Sequence, residues 1–76
     1  MVIRLKNMRE IGHFVDCITV CDDSYSVTAR CDPVKSISAR SLIGVCAMAM
    51  ADGGELVLVN HTRAGHYPDS VRMYAI

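Results

Sequence analysis

Residues 41–60 read SLIGVCAMAMADGGELVLVN and carry the strongest structural signals in the chain. Ser41 stands immediately before the apolar run 42–50, where a hydroxyl can cap a helix by accepting a hydrogen bond from a backbone amide. An Asp-Gly-Gly sequence ends that run, and Gly53 suits the left-handed position after a helix. Residues 55–60 form the most apolar strand, which favours a central place in a sheet. This stretch therefore predicts a helix over 42–50 followed by a central strand.

The rest of the chain shows strand-like alternation and helical periodicity in turn. Alternating apolar residues predict strands, apolar residues three and four apart predict helices, and Asp32-Pro33 marks a turn within a hairpin. The predicted strands are residues 2–6, 25–29, 34–39 and 55–60, and the predicted helices are residues 9–21, 42–50 and about two turns after Pro68. This order predicts one α+β domain over residues 1–76, with a four-stranded antiparallel sheet and its helices on one face.

Composition and charge exclude several classes of function. The 76 residues suffice for one small core, and 8 basic against 8 acidic side chains give no formal net charge. Because the basic residues are scattered singly, we expect no binding to nucleic acid or to an anionic membrane. The longest apolar run, residues 42–51, is too short for a membrane span, and residues 1–6 do not resemble a secretory signal. We therefore expect a cytoplasmic protein.

Four cysteines, at positions 17, 21, 31 and 46, raise the question of disulfides. Cys17, Cys21 and Cys46 lie in apolar segments without neighbouring turn residues, as reduced core cysteines do. A secreted disulfide scaffold is the alternative, but no secretory signal accompanies the cysteines. We expect reduced thiols.

His13, Cys17 and Cys21 follow one another at intervals of four residues, a spacing that invites comparison with a metal site. Each interval turns about 40° around a helix, so the three ligands would spread over about 80°. Structural zinc instead takes two close pairs of ligands. The chain also has no glycine-rich nucleotide-binding motif. We expect neither a metal nor a cofactor.

His61 and His66 flank a loop near the C-terminus. No serine or cysteine nucleophile and no carboxylate accompanies them at a spacing typical of a catalytic motif. The pattern predicts solvated loop histidines and a protein that is not an enzyme.

Residues 35–45 read KSISARSLIGV, and a glycine-containing break then leads to ELVLV at residues 55–59. Over roughly residues 2–62 the chain resembles the histidine-containing phosphocarrier protein (HPr) family of the bacterial sugar phosphotransferase system. Residues 39–42 (ARSL) are the most specific part of the likeness. The resemblance implies an HPr-like open-faced β-sandwich, with the third helix shortened here. It also implies that Ser41, preceded by a basic residue at the start of the second helix, is a regulatory phosphorylation site.

The active loop of the HPr family reads His-x-Arg-Pro-Ala, and its histidine carries the phosphoryl group. At the matching positions, residues 7–11 read NMREI. Asn7 replaces the histidine, and its amide nitrogen has no lone pair with which to form a phosphoramidate. Glu10 replaces the proline and would repel a phosphate. The resemblance implies that Arg9 and Arg40 bind phosphate or a partner, without implying phosphoryl transfer.

The helix predicted over 42–50 is apolar nearly all round, which permits two interpretations. It is buried on more than one side, with the C-terminal tail over it, or it presents a surface to which proteins bind. In HPr the matching segment docks partners. The resemblance therefore implies a partner-docking surface made of the residues Leu42, Ile43, Cys46 and Ala47.

These observations predict a non-enzymatic, HPr-like domain that is degenerate at the phosphocarrier site and acts in regulation through protein contact. The HPr family includes a regulatory paralogue that lacks the histidine and keeps the serine. An HPr-type serine kinase or a transcription regulator is the partner that the resemblance implies. Two alternatives remain open: a true phosphocarrier of the phosphoenolpyruvate-dependent sugar phosphotransferase system, and a structural interaction module without phosphorylation.

The shortened tail bears on assembly. A helix of about two turns is not stable alone and covers little apolar surface. We expect it to leave part of the sheet bare at Ile3, Val27, Val57, Leu58 and Val59. A small domain without net charge and with an exposed apolar face tends to associate. The sequence therefore predicts a homodimer or an exchange of terminal elements.

Overall fold

The computed structural model describes residues 1–30, 32, 34–51 and 53–76. Cys31, Pro33 of the predicted Asp32-Pro33 turn, and Asp52 of the predicted helix end lie outside the described residues. In chain order the elements are β1 (Val2–Arg4), α1 (Met8–Thr19), β2 (Tyr25–Ala29), β3 (Ser36–Ser38), α2 (Leu42–Ala51), β4 (Glu55–Asn60) and α3 (Asp69–Arg72). The strands lie in the order β1-β4-β2-β3, and every neighbouring pair is antiparallel. The predicted α+β class, the antiparallel four-stranded sheet and the β2–β3 hairpin are confirmed.

β4 lies between β1 and β2, which confirms its predicted central place. Its register pairs Leu56 with Ile3 on one side and Leu58 with Val27 on the other. All four side chains are fully buried, since alternate residues of a strand point to the same face. Val57, between the two leucines, is only half-buried on the opposite face. The helices therefore cover one face of the sheet, and the other face is open.

α1 begins one residue earlier than predicted because Asn7 caps it. The side-chain oxygen of Asn7 accepts a hydrogen bond from the Glu10 amide at 3.0 Å. Glu10 reaches back, and its carboxylate accepts from the Lys6 amide at 2.7 Å. This reciprocal arrangement closely resembles a capping box. The helix ends at Thr19, two residues before the predicted end, and it buries one apolar stripe composed of Ile11, Phe14, Val15 and Ile18.

α2 is buried on one side only, so of the two interpretations of this helix, the one with burial on several sides is wrong. Val45 and Ala49 enter the core, whereas Ile43 is 85% exposed and Leu42 is 46% exposed. The C-terminal tail does not lie over this helix. It lies against α1, where the ring of Tyr74 meets that of the buried Phe14 edge to face, with centroids 6.5 Å apart. α2 thus presents an apolar face to solvent.

Two glycines allow α2 to begin and end where it does. A Cβ atom on Gly44 would lie 2.7 Å from the Cδ1 atom of Ile37 and 2.9 Å from the Ser41 hydroxyl. A side chain at this position would have to displace the ends of both side chains, so glycine suits the close approach of the first turn of α2 to β3. At the other end, Gly53 has a φ of 66°, which confirms the predicted left-handed position after the helix.

The C-terminal tail extends the sheet edge instead of continuing as a helix. α3 contains only one turn, Asp69–Arg72, where about two were predicted. The Tyr74 carbonyl then accepts from the Arg4 amide at 2.8 Å, and Ala75 forms an antiparallel bridge with Ile3. Pairing with β1 satisfies backbone groups that so short a helix would leave open.

The prediction that five side chains of the sheet are left bare is wrong for three of them. Ile3, Val27 and Leu58 are fully buried because they face the helices, and they contribute to the single core. Val57 and Val59 point to the open face and are half-buried. Of the side chains from which a homodimer or an exchange of terminal elements was predicted, only these two are partly exposed. That association stays a prediction.

Candidate functional site

Ser41 caps α2 as predicted. Its hydroxyl oxygen accepts a hydrogen bond from the Gly44 amide at 3.2 Å, and its carbonyl accepts from the Val45 amide at 2.8 Å. The side chain is exposed. The hydroxyl therefore lies at the positive end of the helix dipole, where added negative charge is stabilised.

Arg40 is held by the loop that follows α1. Its guanidinium donates hydrogen bonds to the carbonyl of Cys21 and, at 3.4 Å, to that of Asp23. These bonds tie the end of α1 to the start of α2, so Arg40 has a structural role that the sequence did not predict.

Residues 7–11, which were predicted to correspond to a phosphocarrier loop, lie at the start of α1. Asn7 and Glu10 use their side chains to cap the helix, as described above, while Arg9 is exposed in its first turn. The Sδ atom of Met8 lies 3.3 Å from the Sγ atom of Cys46 on α2. The structure thus brings the start of α1 next to one residue of the predicted docking surface.

The predicted docking residues lie along α2, and we call Leu42, Ile43, Cys46 and Ala47 together the α2 surface. Cys46 is half-buried, whereas Leu42, Ile43 and Ala47 are exposed. A groove of about 320 Å³ separates the end of α2 from the start of α1, and Met8 and Met50 line it. A second groove, of about 510 Å³, runs along the other side of α2 and includes Ala47. The helix therefore stands out as an apolar ridge between two depressions.

A buried polar network surrounds Asn60, and the sequence did not predict it. The Asn60 amide donates to the Asp23 carboxylate at 2.9 Å and to the His66 carbonyl at 2.7 Å. Its oxygen accepts from the amides of Thr62 and Arg63 at 2.8 and 2.9 Å. Every hydrogen-bonding position of this side chain is used. The network holds the loop after β4 in place. No sequence motif indicates this network.

The two histidines of this loop are exposed, as predicted. His61 is not merely solvated, because its Nε2 atom lies 2.7 Å from the Ser26 hydroxyl on the open face of the sheet. His66 contributes its carbonyl to Asn60, and its ring is not used there. Neither residue lies at the start of α1, the place that was predicted to correspond to a phosphoacceptor.

His13 and Cys17 lie within reach of one another on α1. The Nε2 atom of His13 is 3.5 Å from the Cys17 sulfur, and its Nδ1 atom is 2.5 Å from the Tyr74 hydroxyl. The Cys21 thiol donates instead to the Cys17 carbonyl at 3.2 Å. In the described part of the chain, no three His, Cys, Asp or Glu side chains are placed to hold a metal. The cysteines at 17, 21 and 46 are all free thiols.

Comparison with protein-family models, with curated proteins and with solved structures finds no match to this chain. Across the described ranges, the structure contains no helix with the length and apolar character needed to cross a membrane.

Acid should destabilise the protein through two carboxyl groups. Hydrogen bonds from Asn60 and Arg63 hold the pKa of Asp23 below its ordinary value, and those from Arg4 and Arg30 do the same for the pKa of Glu55. A carboxyl with a lowered folded pKa stabilises the fold fully above its unfolded pKa. That contribution disappears as pH falls through the folded pKa. We therefore expect the melting temperature of the protein to decrease once the pH is lower than about 4.

Thermal melts across this range check the acid prediction, with Asp23→Asn as the test variant. Asp23→Asn should lower stability at neutral pH and make the remaining dependence on acid shallower. Asp69→Asn, at a carboxyl on the exposed side of α3, is the control and should keep the wild-type profile. A pH profile of Asp23→Asn as steep as that of the wild type would contradict the assignment.

Ser41→Ala should lower the free energy of unfolding by about 1 kcal/mol, because the first turn of α2 loses its cap. Ser41→Asp should cost less, since a carboxylate caps the helix and interacts favourably with its dipole. Urea unfolding measures both, with Ser70→Ala on the exposed surface of α3 as the control. An aspartate variant less stable than the alanine variant would count against the cap.

Proposed function

We propose that this protein is an HPr-like regulatory domain that acts by binding other proteins through the α2 surface, and that it is neither an enzyme nor a phosphocarrier. The exposed apolar face of α2 is the observation that carries the proposal. Ile43 and Leu42 remain in contact with water although the core lies beneath the same helix. Burying such side chains against a partner contributes about 25 cal/mol per Å² of apolar surface, from which the entropic cost of association is subtracted.

The start of α1 supports the part of the proposal that excludes phosphoryl transfer. Where the HPr family has its histidine, Asn7 supplies an oxygen that already accepts the hydrogen bond of the Glu10 amide. Glu10 adds a negative charge at the same helix end, which opposes an incoming phosphate. In the HPr family the corresponding positions form the reactive loop. In this protein, Asn7 and Glu10 instead stabilise the start of a helix.

The position of Ser41 supports regulation by phosphorylation. Its exposed hydroxyl precedes Leu42 and Ile43 directly, so a phosphate there would place about two negative charges beside the apolar α2 surface. A partner that buries these side chains would lose affinity, whereas a partner with a basic rim would gain it. Phosphorylation at Ser41 would thus select between partners without a change of fold.

Charge introduced on the α2 surface tests the docking proposal. The HPr-type serine kinase serves as the partner, and calorimetry measures its affinity for the wild type and for Ile43→Asp. The variant should bind about tenfold more weakly or worse, because burying an unpaired carboxylate costs well over 1 kcal/mol. Met73→Asp, at a side chain 70% exposed beyond α3, is the matched control and should bind normally. Equal affinity of the two variants would contradict docking through α2.

Phosphorylation by the same kinase with ATP tests the regulatory part separately. Intact mass should rise by one phosphoryl group in the wild type and in Ser70→Ala, and should not rise in Ser41→Ala. A domain that binds the kinase but gains no phosphate would be the structural interaction module instead.

A further inference from the structure

Three sulfur atoms meet where α1 and α2 approach each other. The Sγ atom of Cys46 lies 3.3 Å from the Sδ atom of Met8 and 3.9 Å from that of Met50. Cys46 and Met50 are one turn apart on α2, and Met8 is the first residue of α1. The cluster therefore depends on the packing of the two helices, and spacing along the sequence does not show it.

The chemistry of these donors selects one class of ligand. Thiolate and thioether sulfurs are soft donors that favour Cu(I), whereas calcium and magnesium prefer oxygen. Bonds from sulfur to a first-row metal ion are about 2.3 Å long, so three sulfurs around one ion in a plane lie about 4 Å apart. The separation of 3.9 Å between Cys46 and Met50 already meets that requirement, and the 3.3 Å between Cys46 and Met8 needs to lengthen by a fraction of an ångström.

We propose that Cys46, Met8 and Met50 form a binding site for a single Cu(I) ion. On binding, the Cys46 thiol releases its proton to solvent, and the thiolate and the two thioethers each donate an electron pair to the metal. The ion stays in the Cu(I) state, so no oxidant or reductant takes part. The positive ion and the thiolate cancel in charge, which suits a partly apolar surface.

The two methionine side chains are accessible to solvent and can change conformation, and both properties suit a site for a metal ion. Met8 is 57% exposed and Met50 is 76% exposed, and both line the groove of about 320 Å³ beside the cluster. Methionine has three rotatable side-chain bonds, so each sulfur can move by a fraction of an ångström without disturbing the core. An ion can therefore enter from solvent while the domain stays folded. The site does not depend on the proposed docking function, since the free chain supplies all three ligands.

Competition for Cu(I) with a colorimetric chelator, under anaerobic reducing conditions, tests the proposal on the intact protein. We expect one ion per chain. Cys46→Ser should abolish the binding, and Met8→Leu and Met50→Leu should each weaken it by about tenfold or more, because each removes one ligand and keeps the side-chain volume. Met73→Leu and Cys17→Ser are the matched controls and should bind as the wild type does.

The ligand number is measured independently by X-ray absorption of the Cu(I)-loaded protein, which should show three sulfur neighbours at about 2.3 Å. Unchanged affinity in both methionine variants would overturn the site, since Cys46 would then be a simple thiol ligand. Loss of binding in Cys17→Ser would overturn it too, by placing the ion on α1. Circular dichroism confirms that each variant is folded, so weak binding is not mistaken for unfolding.

Discussion

Phe14→Ala should remove about 3–5 kcal/mol from the free energy of unfolding, the largest effect expected of any single truncation here. The Phe14 ring is fully buried and is the largest such side chain in the core. It contacts Tyr74, which ties the tail to α1. A 76-residue domain has a total stability of about 4–11 kcal/mol, so this loss is a large share of the whole.

Urea unfolding followed by circular dichroism measures this loss. Met73→Ala is the control, because its exposed side chain should change stability by no more than about 0.5 kcal/mol. A Phe14→Ala variant that loses less than about 1 kcal/mol would mean that α1 is not the centre of the core.

Asn60→Ala should lower stability by about 2–3 kcal/mol, the second largest effect. The substitution removes the amide donor that Asp23 and the His66 carbonyl share. Among the described residues, Asp23 then keeps only its hydrogen bond from Arg63, and the His66 carbonyl keeps only the 3.4 Å contact with the Tyr25 hydroxyl, so both buried acceptors are poorly satisfied, which is costly. The amides of Thr62 and Arg63 belong to exposed residues and can bond to water, which limits the loss.

The matched control for Asn60→Ala is the same substitution at an exposed position. Asn7→Ala removes only a helix cap and should cost about 1 kcal/mol in the same urea experiment. The double variant of Asn60→Ala with Asp23→Ala should destabilise by less than the sum of the two single changes, because each removes the same hydrogen bond. A smaller effect at Asn60 than at Asn7, or full additivity with Asp23, would contradict the network.

The parts of the fold that were predicted best are those whose ends are marked by residues that start or end a helix or strand. The strand over 55–60 was predicted with its observed bounds, and the helix over 42–50 with one residue missing at its end. Ser41 and Gly53 mark the two ends of that helix by chemistry that acts locally. Local signals of this kind need no knowledge of the tertiary structure, which is why they succeeded.

The tail was predicted less well because its structure depends on a distant strand. Periodicity after Pro68 indicates a helix, but Ala75 pairs with Ile3 at the other end of the sequence. That pairing competes with further helix, and the second turn is absent from the described tail. The predicted exposure of Val27 and Leu58 failed for a related reason, since the alternation of a strand does not say which face the helices cover.

The candidate site divides in the same way. The cap at Ser41 follows from residues close in sequence, whereas the sequence left open whether α2 is buried on several sides or exposed. The capping pattern Asn-x-x-Glu at residues 7–10 was present in the sequence, but we interpreted these positions only as replacements in a phosphocarrier loop. The contact between Met8 and Cys46 joins two helices across 38 positions, so helical spacing could not reveal it.

The central claim is that the chain acts by protein contact and accepts no phosphoryl group at the start of α1. Incubation with phosphoenolpyruvate and the phosphate-donating enzyme of the phosphotransferase system, followed by intact mass, tests it most directly. An HPr protein that has the histidine is the positive control in the same mixture. The account predicts an unchanged mass for this protein under conditions in which the control is fully phosphorylated. A gain of one acid-labile phosphoryl group would contradict it and would make the protein a phosphocarrier.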